Sequence, residues 1–339
     1  MKEFYNLLIL GRQYLFRFTR YYLSHLICLF KISINNLANN SRRNHPIFIK
    51  MVKENQLSRE NINTYSQIKR DKFHSELIKI NINKEFFSKL EAIILFIGYS
   101  RSGHSLVGSL LDAHPEILVS HELHLMKHLL SGTSTDKLAE SMVINSAIFN
   151  QNGREYTGYD YSINGQYQGK VKTLKILGDK KGNGTIRLIR KYPETFSLLN
   201  KFNLPIKFIH VIRNPYDNIS TRAKRNNTSL HFAAKGYFAN MEVISRIAQN
   251  TTFEIQHVFL EDLIYKPEAT LNYLIMSLNL EKPTENYIKA CKERLFSEPK
   301  ETRFDYFWHP SLVNFVAEKI KRYEFLERFH NRSFQERPQ

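Results

Sequence analysis

Apolar residues run without a polar break through AIILFIG (92–98), a pattern that offers no solvated face. Such a run predicts a strand buried on both sides, as at the centre of a parallel sheet. It leads straight into a glycine-rich turn, GYSRSGHS (98–105), after which HSLVGSLLDAHP repeats its apolar positions at helical spacing and stops at Pro115. EILVS and LKILGD follow as short strand candidates, and IKFIHVIRNP is a second buried strand that ends at Arg213, with Pro215 suited to the first turn of a helix. FEIQHVFLEDL reads as a further strand, and PEATLNYLIMSLNL and HPSLVNFVAEKIKRYEFL as late helices. Buried strands alternating with amphipathic helices predict one α/β domain, a three-layer α/β/α arrangement with a mainly parallel central sheet. No solenoid-type repeat or low-complexity tract interrupts it.

The first part of the chain follows another pattern. Residues 4–53 hold no Asp or Glu, while Arg12, Arg17, Arg20 and Lys31 interrupt apolar runs such as FYNLLIL and YYLSHLICLF. The longest uncharged run falls well short of the ~20 residues of a spanning helix. The segment 4–35 therefore reads either as an interfacial element on a membrane surface or as a helix docked on protein. Asn-rich sequence over about 35–70 reads as a linker, and no small-residue cleavage site marks a removable signal peptide. The expected organisation is a basic, helical or irregular extension and linker over 1–88, the main domain over 89–330, and a tail over 331–339.

Composition adds a preference for anions. The 339 residues include 49 Lys and Arg against 32 Asp and Glu, a formal charge of +17, which attracts phosphorylated cofactors, nucleic acid, acidic glycans or an anionic membrane. Hydrophobic residues make up 42% of the chain, which excludes a largely disordered protein. Cys28 and Cys291 are too few for a disulfide framework or a thiolate zinc site and point to a reducing compartment.

The turn at 98–105 carries the chemistry. A glycine-rich turn between a buried strand and a helix aims backbone N–H groups and the positive end of the helix dipole at one point, where a phosphate binds. Arg101 adds a charge there, and Ser102 and Ser105 add hydroxyl donors. Gly98 and Gly103 have the spacing of an NTP-binding loop, but His104 stands where such a loop carries lysine. NTP chemistry uses that lysine with Mg²⁺ to neutralise the β- and γ-phosphates. A sulfuryl group on a nucleotide 5'-phosphate carries less charge and does not require the metal. The second strand-to-helix junction, HVIRNPYDNISTRAKR, supplies Arg213 with Ser220 and Thr221 two turns on, a set suited to a second phosphate; a plain ion-pair arginine at a helix start is the alternative.

Across residues 91–330 the chain resembles the sulfotransferases that use 3'-phosphoadenosine 5'-phosphosulfate (PAPS). FIGYSRSGHSLVGSLLDAHP is similar to that family's 5'-phosphosulfate loop, FIHVIRNPYDNIST to its 3'-phosphate motif, and FLEDLIYKPEATL to the strand and turn that follow. The loop and its trailing LLDAHPE most resemble the branch holding tyrosylprotein sulfotransferases and many bacterial homologues. The resemblance implies a P-loop fold and PAPS as co-substrate without a metal. It implies that Arg101, Ser102, Gly103, His104 and Ser105 wrap the 5'-phosphosulfate, and that Arg213 with Thr221, or with the neighbouring Ser220, takes the 3'-phosphate. Glu122 falls at the position of the catalytic base, and Lys180, with Lys181 beside it, at that of a catalytic lysine. Ser297, Lys300 and Arg303 in FSEPKETRF are similar to the late basic loop that closes over the cofactor. The chain departs from the family at His104, where threonine is usual.

The implied partner is a hydroxyl-bearing acceptor, with carbohydrate or lipid-linked acceptors ahead of protein tyrosine and small phenols. The Tyr-rich segment 154–170 either lines its pocket or forms a solvated hairpin. A P-loop kinase or NTPase with a displaced lysine, and a non-catalytic basic protein that binds nucleic acid or membrane, are the competing classes; no nucleic-acid partner is expected under the sulfotransferase reading. HELHLMKH is not HExxH, and no metal is expected. Sequons at Asn39, Asn183, Asn227, Asn250 and Asn331 suggest the secretory pathway, but a further one, Asn218, lies inside the 3'-phosphate motif, where a glycan would obstruct the cofactor. They are read as by-products of Asn richness, and a cytoplasmic enzyme, with or without peripheral membrane association, is expected ahead of a Golgi-type one.

Overall fold

The computed structural model describes residues 85–250 and 252–330. The expectations for the interfacial segment 4–35, the linker and the tail lie outside the described residues. The chain separates into two compact units, Asn83–Lys127 with Met142–Gln339, and Met1–Ile82 with His128–Ser141. Of the second, residues 128–141 are described: a turn through Gly132, whose N–H bonds the Leu129 carbonyl, stands between the end of one helix and the first residues of the next.

In the first unit, strands β1 (Ala92–Ile97), β2 (Ile117–His121), β5 (Ile176–Lys180), β6 (Ile206–Ile212) and β7 (Glu254–Phe259) form one sheet in the order β2-β5-β1-β6-β7. Every neighbouring pair is parallel. β3 (Glu155–Tyr156) and β4 (Tyr159–Asp160) make a separate antiparallel hairpin. All six residues of β1 are buried, as its continuous apolar run requires at the sheet centre.

Successive side chains of a strand point to opposite faces. Ala92, Ile94 and Phe96 join one hydrophobic cluster with Leu106, Val107, Leu110 and Leu111 of helix α1 (His104–Asp112). Leu271, Leu274 and Ile275 of α8 (Pro267–Ser277) and Tyr287, Ile288 and Cys291 of α9 (Glu285–Arg294) belong to it too. Helix α4 (Gly182–Lys191) packs on β1 and on α6 (Leu230–Ala248), and α5 (Pro215–Asn226) packs on α6. The sheet is therefore covered by helices on both sides, the α/β arrangement that the alternation predicts.

The remaining helices are α2 (Leu125–Leu130), α3 (Thr135–Gln151), α7 (Leu260–Tyr265) and α10 (Pro310–Ile320). The periodicity had singled out neither α3, α6 nor α9, and it ran the last strand through 263, where the structure ends it at Phe259 and starts α7. The late helix also stops at Ile320, and a 3₁₀ segment, Glu324–Phe329, follows. Among the described residues no helix is long and apolar enough to cross a membrane.

One buried polar cluster ties the edge of this unit together. Asp112 accepts from Val119 N at 2.6 Å, Gly169 N at 3.0 Å, Ser146 Oγ at 3.0 Å and Arg154 Nη1 at 2.8 Å, with both side chains of the ion pair shut off from solvent. A charge so buried is tolerable because its oxygens are hydrogen-bonded and its partner is fixed.

Candidate active site

Because the sheet is parallel, the C-terminal ends of its strands share one edge, and the candidate residues emerge there. β1 runs into the loop 98–103, β2 into Glu122, β5 ends on Lys180, and β6 runs into Arg213. Together they border a cavity of about 1130 Å³. Its wall carries eleven Lys or Arg against three acidic residues, which makes it strongly positive.

The loop needs unusual backbone angles. Gly98 has φ 138° and Gly103, the residue capping α1, φ 104°, both in the region that favours glycine, while Arg101 takes φ 73° against its own steric preference. Ser102 is buried and looks inward: its hydroxyl donates to the Tyr99 carbonyl at 2.8 Å and to Asn218 Oδ1 at 3.3 Å. Asn218 in turn donates to the Ser100 carbonyl at 2.9 Å, which pins the loop to α5. Ser102 thus shapes the loop, whereas Arg101, Gly103 and Ser105 face the cavity.

His104 also turns inward. Its Nε2–H donates to the Ile97 carbonyl at 3.0 Å, which fixes the tautomer. A side-chain carbon added to Gly98 or Gly182 would lie 2.7 and 2.5 Å from this ring, so two glycines make its slot. Burial lowers its pKa to about 4, so the imidazole is neutral near pH 7. The ring packs against Gly98 and Gly182 at the back of the loop, and the residue still borders the cavity.

A lysine reaches the loop from β5. Lys180 is buried, and its Nζ donates to Ser105 Oγ at 3.0 Å and to Glu122 Oε1 at 2.7 Å, with the Tyr156 ring centre 5.0 Å away. Lys181 bonds the other oxygen of Glu122. Burial alone would raise the pKa of Glu122, but Lys180 and Lys181 outweigh it and hold the carboxylate well below its usual range. Burial in turn lowers the pKa of Lys180, opposed by Glu122. Glu122 sits at φ 61°, a conformation that non-glycine residues keep only where the surroundings impose it.

On the other side of the loop, Arg213 is buried to 6% exposure yet bonds no carboxylate. Its Nη1 donates to Thr221 Oγ1 at 3.1 Å and to the Arg101 carbonyl at 3.4 Å; its Nη2 reaches Thr302 Oγ1 at 3.4 Å and the Lys300 carbonyl. Its Nε has no partner at all. Glu261 accepts from Asn214 N at 2.8 Å and steadies the residue next to Arg213, while Asp262 takes Arg328 at 2.5 and 2.8 Å. Asp262 is therefore spent on structure, whereas the second oxygen of Glu261 is buried without a hydrogen-bond partner.

The geometry separates the paired alternatives of the sequence. Thr221 faces the cavity, whereas Ser220 is fully buried with an unpartnered hydroxyl. Lys300 borders the cavity, but Arg303 is bound to Asp217 at 2.5 Å and to Glu301 and does not reach the wall. The Tyr-rich segment brings Tyr156, Tyr159 and Tyr161 to the wall, and across the mouth Tyr159 meets Phe296 at 6.1 Å between ring centres while Asp160 pairs with Arg294 at 3.2 Å. Sequence reasoning missed Arg187, Arg294 and Phe296; the i, i+4 spacing of Asn183 and Arg187 behind Lys180 was the available signal for the first.

No family model and no curated protein matches the chain. Solved structures that align with it include the sulfotransferase domain of the olefin synthase from Synechococcus PCC 7002, at 16% identity over 74% of this chain and 97% of that one, TM-score 0.42. Sulfotransferase STF9 from Mycobacterium avium aligns at 10% identity over 76% and 82%, TM-score 0.42, and mouse sulfotransferase SULT7A1 complexed with PAP at 11% over 73% and 87%, TM-score 0.35. All three are sulfotransferases.

Proposed function

We propose that the cavity binds PAPS and transfers its sulfuryl group to a hydroxyl acceptor, with a carbohydrate or lipid-linked alcohol ahead of tyrosine. The carrying observation is Arg213, a cation nine-tenths buried that bonds no carboxylate, keeps one N–H unpartnered and faces the same cavity as the loop. Asp217 and Glu261 offset its charge from within the fold without bonding it, and an anion from the cavity would fill the hydrogen-bonding capacity they leave open. The donor set fits two separate anionic groups. Arg101, the amides of the α1 N-terminus, Ser105 and Lys180 suit the 5'-phosphosulfate, and Arg213, Thr221 and Lys300 suit the 3'-phosphate.

PAPS supplies the sulfuryl group and a nucleotide leaving group. In the reaction, the acceptor oxygen forms a bond to sulfur as the bond from sulfur to the 5'-phosphate oxygen breaks, and the electron pair stays on that oxygen. Glu122 accepts the hydroxyl proton, and Lys180 and Arg101 stabilise charge on the departing oxygen. Without ligand, Glu122 is a weak base because two ammonium groups hold it. A bound phosphosulfate competes for both lysines, and each one drawn away leaves the carboxylate more basic.

The test is calorimetric binding of adenosine 3',5'-bisphosphate without metal, beside adenosine 5'-monophosphate and Mg-ATP, followed by an acceptor screen with labelled PAPS. Binding that depends on the 3'-phosphate supports the proposal. A preference for Mg-ATP moves the chain to the kinases, with Lys180 as the displaced lysine.

A further inference from the structure

The cations of the cavity exceed what two phosphate groups need. Arg187 on α4 and Arg222 on α5 line the wall beyond the residues assigned to the cofactor. Both helices pack on α6, and one buried phenol there, whose pKa burial raises, feels the opposing charge of Arg222, Arg187 and Arg190. Tyr99 leaves the loop there, donates to the Ala233 carbonyl at 3.2 Å, and lies against Gly236, where an added side-chain carbon would sit 3.1 Å from its oxygen.

Among the described residues none of the three arginines bonds a carboxylate. Arg190 Nη1 donates to Asn240 Oδ1 at 3.4 Å, and Arg222 donates to the side-chain oxygen of Asn226 at 3.0 and 3.2 Å with that amide turned to offer it. Glu122, Asp160 and Glu298 are the acids of the wall, and the first two are already paired with Lys180, Lys181 and Arg294. Arg187 and Arg190 are exposed and Arg222 half-buried, so solvent screens their repulsion; what they offer an anion is a group of guanidinium donors that no carboxylate occupies.

Resting on the sulfotransferase reading, we propose that Arg187 and Arg222, backed by Arg190 and Tyr99, form a third anion subsite that holds a negatively charged group of the acceptor. The acceptor class is then an anionic alcohol, one whose reacting hydroxyl and charged group lie on the same molecule. Neutral alcohols of the same skeleton leave the arginines uncompensated and bind more weakly.

The test uses the full chain saturated with adenosine 3',5'-bisphosphate. Crystals soaked in selenate should show an anomalous selenium peak between Arg187 and Arg222 while the nucleotide stays bound. In solution, sulfate titrated into the saturated chain should bind, and Arg187→Ala should weaken sulfate by roughly tenfold or more with nucleotide affinity kept within about twofold. Arg187 is an exposed side chain, so its removal leaves the fold intact. The inference is overturned if the 3'-phosphate itself occupies the arginines, if no second anion binds, or if sulfate binding ignores Arg187. If the nucleotide does not bind at all, the sulfotransferase reading falls and takes the subsite with it.

Discussion

Replacing Arg213 by alanine tests the two-phosphate reading most directly. The guanidinium presents two Nη groups and an unpartnered Nε from a buried position, and Thr221 and Thr302, which bond each other at 2.8 Å, stay in place when it is removed. Charge-assisted bonds contribute about 1.5–3 kcal/mol each, and water entering the space returns part of that. A net loss of about 2–3 kcal/mol weakens adenosine 3',5'-bisphosphate by roughly 30- to 150-fold. The assay is calorimetry on both proteins with that nucleotide and with adenosine 5'-monophosphate, whose affinity should change less than about threefold. Equal losses for the two nucleotides would mean that Arg213 acts by holding the loop through the Lys300 carbonyl; unchanged affinity for both would remove the 3'-phosphate site.

Glu122→Gln should lower turnover by ~10²- to 10⁴-fold while leaving nucleotide binding intact or tighter, since it releases Lys180 and Lys181; surviving turnover would assign the base elsewhere. The same carboxylate has a depressed folded-state pKa, so its stabilisation is full above the ordinary carboxylate range and is lost as pH falls through the folded value. Wild type and Glu122→Gln should therefore differ in stability at neutral pH and converge only at the acid end of a titration, and a difference already lost at pH 6 would contradict the pairing. Asp179 shifts the other way: burial raises its pKa to about 6 from 3.8, against the bonds from Leu125 N at 2.7 Å and Ser120 Oγ at 3.0 Å. Its folded state binds the proton more tightly, so stability falls by about 3 kcal/mol as pH rises from ~4 to ~6. The difference between wild type and Asp179→Asn in urea unfolding should show that slope; parallel curves would refute it. Asp112→Ala strands a buried Arg154 and should cost about 3–5 kcal/mol in urea or thermal unfolding, and a loss below ~1 kcal/mol would show that the cluster adds little.

The architecture was legible where one residue pattern carries one meaning. AIILFIG can only be a buried segment, and Gly98 at its end, with Gly103 beyond, locates the turn without knowledge of the rest of the fold. Side-chain direction was not legible in the same way. Ser102 and Ser105 look equivalent in the loop, yet Asn218, more than a hundred residues on, captures the first hydroxyl, and Lys180 finds the second. Ser220 and Thr221 part for the same reason, because a helix places neighbours about 100° apart and only the packing of α5 says which one faces out. Arg303 reads as a cofactor cation until Asp217 claims it. Arg222 stands out in the sequence beside Thr221, but its grouping with Arg187 and Arg190 does not, since α4 and α5 come together only on α6.

The strand ends that deliver Glu122, Lys180 and Arg213 all lie at one edge of the sheet, and this gives the sheet unit a cavity side and a permissive side for engineering. The turn before β6, with Asn203 and Pro205 exposed, belongs to the opposite edge. An affinity tag, a fluorescent reporter or new chain termini placed at Asn203 would meet surface backbone and leave the cavity untouched. The same fold can then be immobilised or fused to a partner enzyme from behind, with its mouth open to solvent.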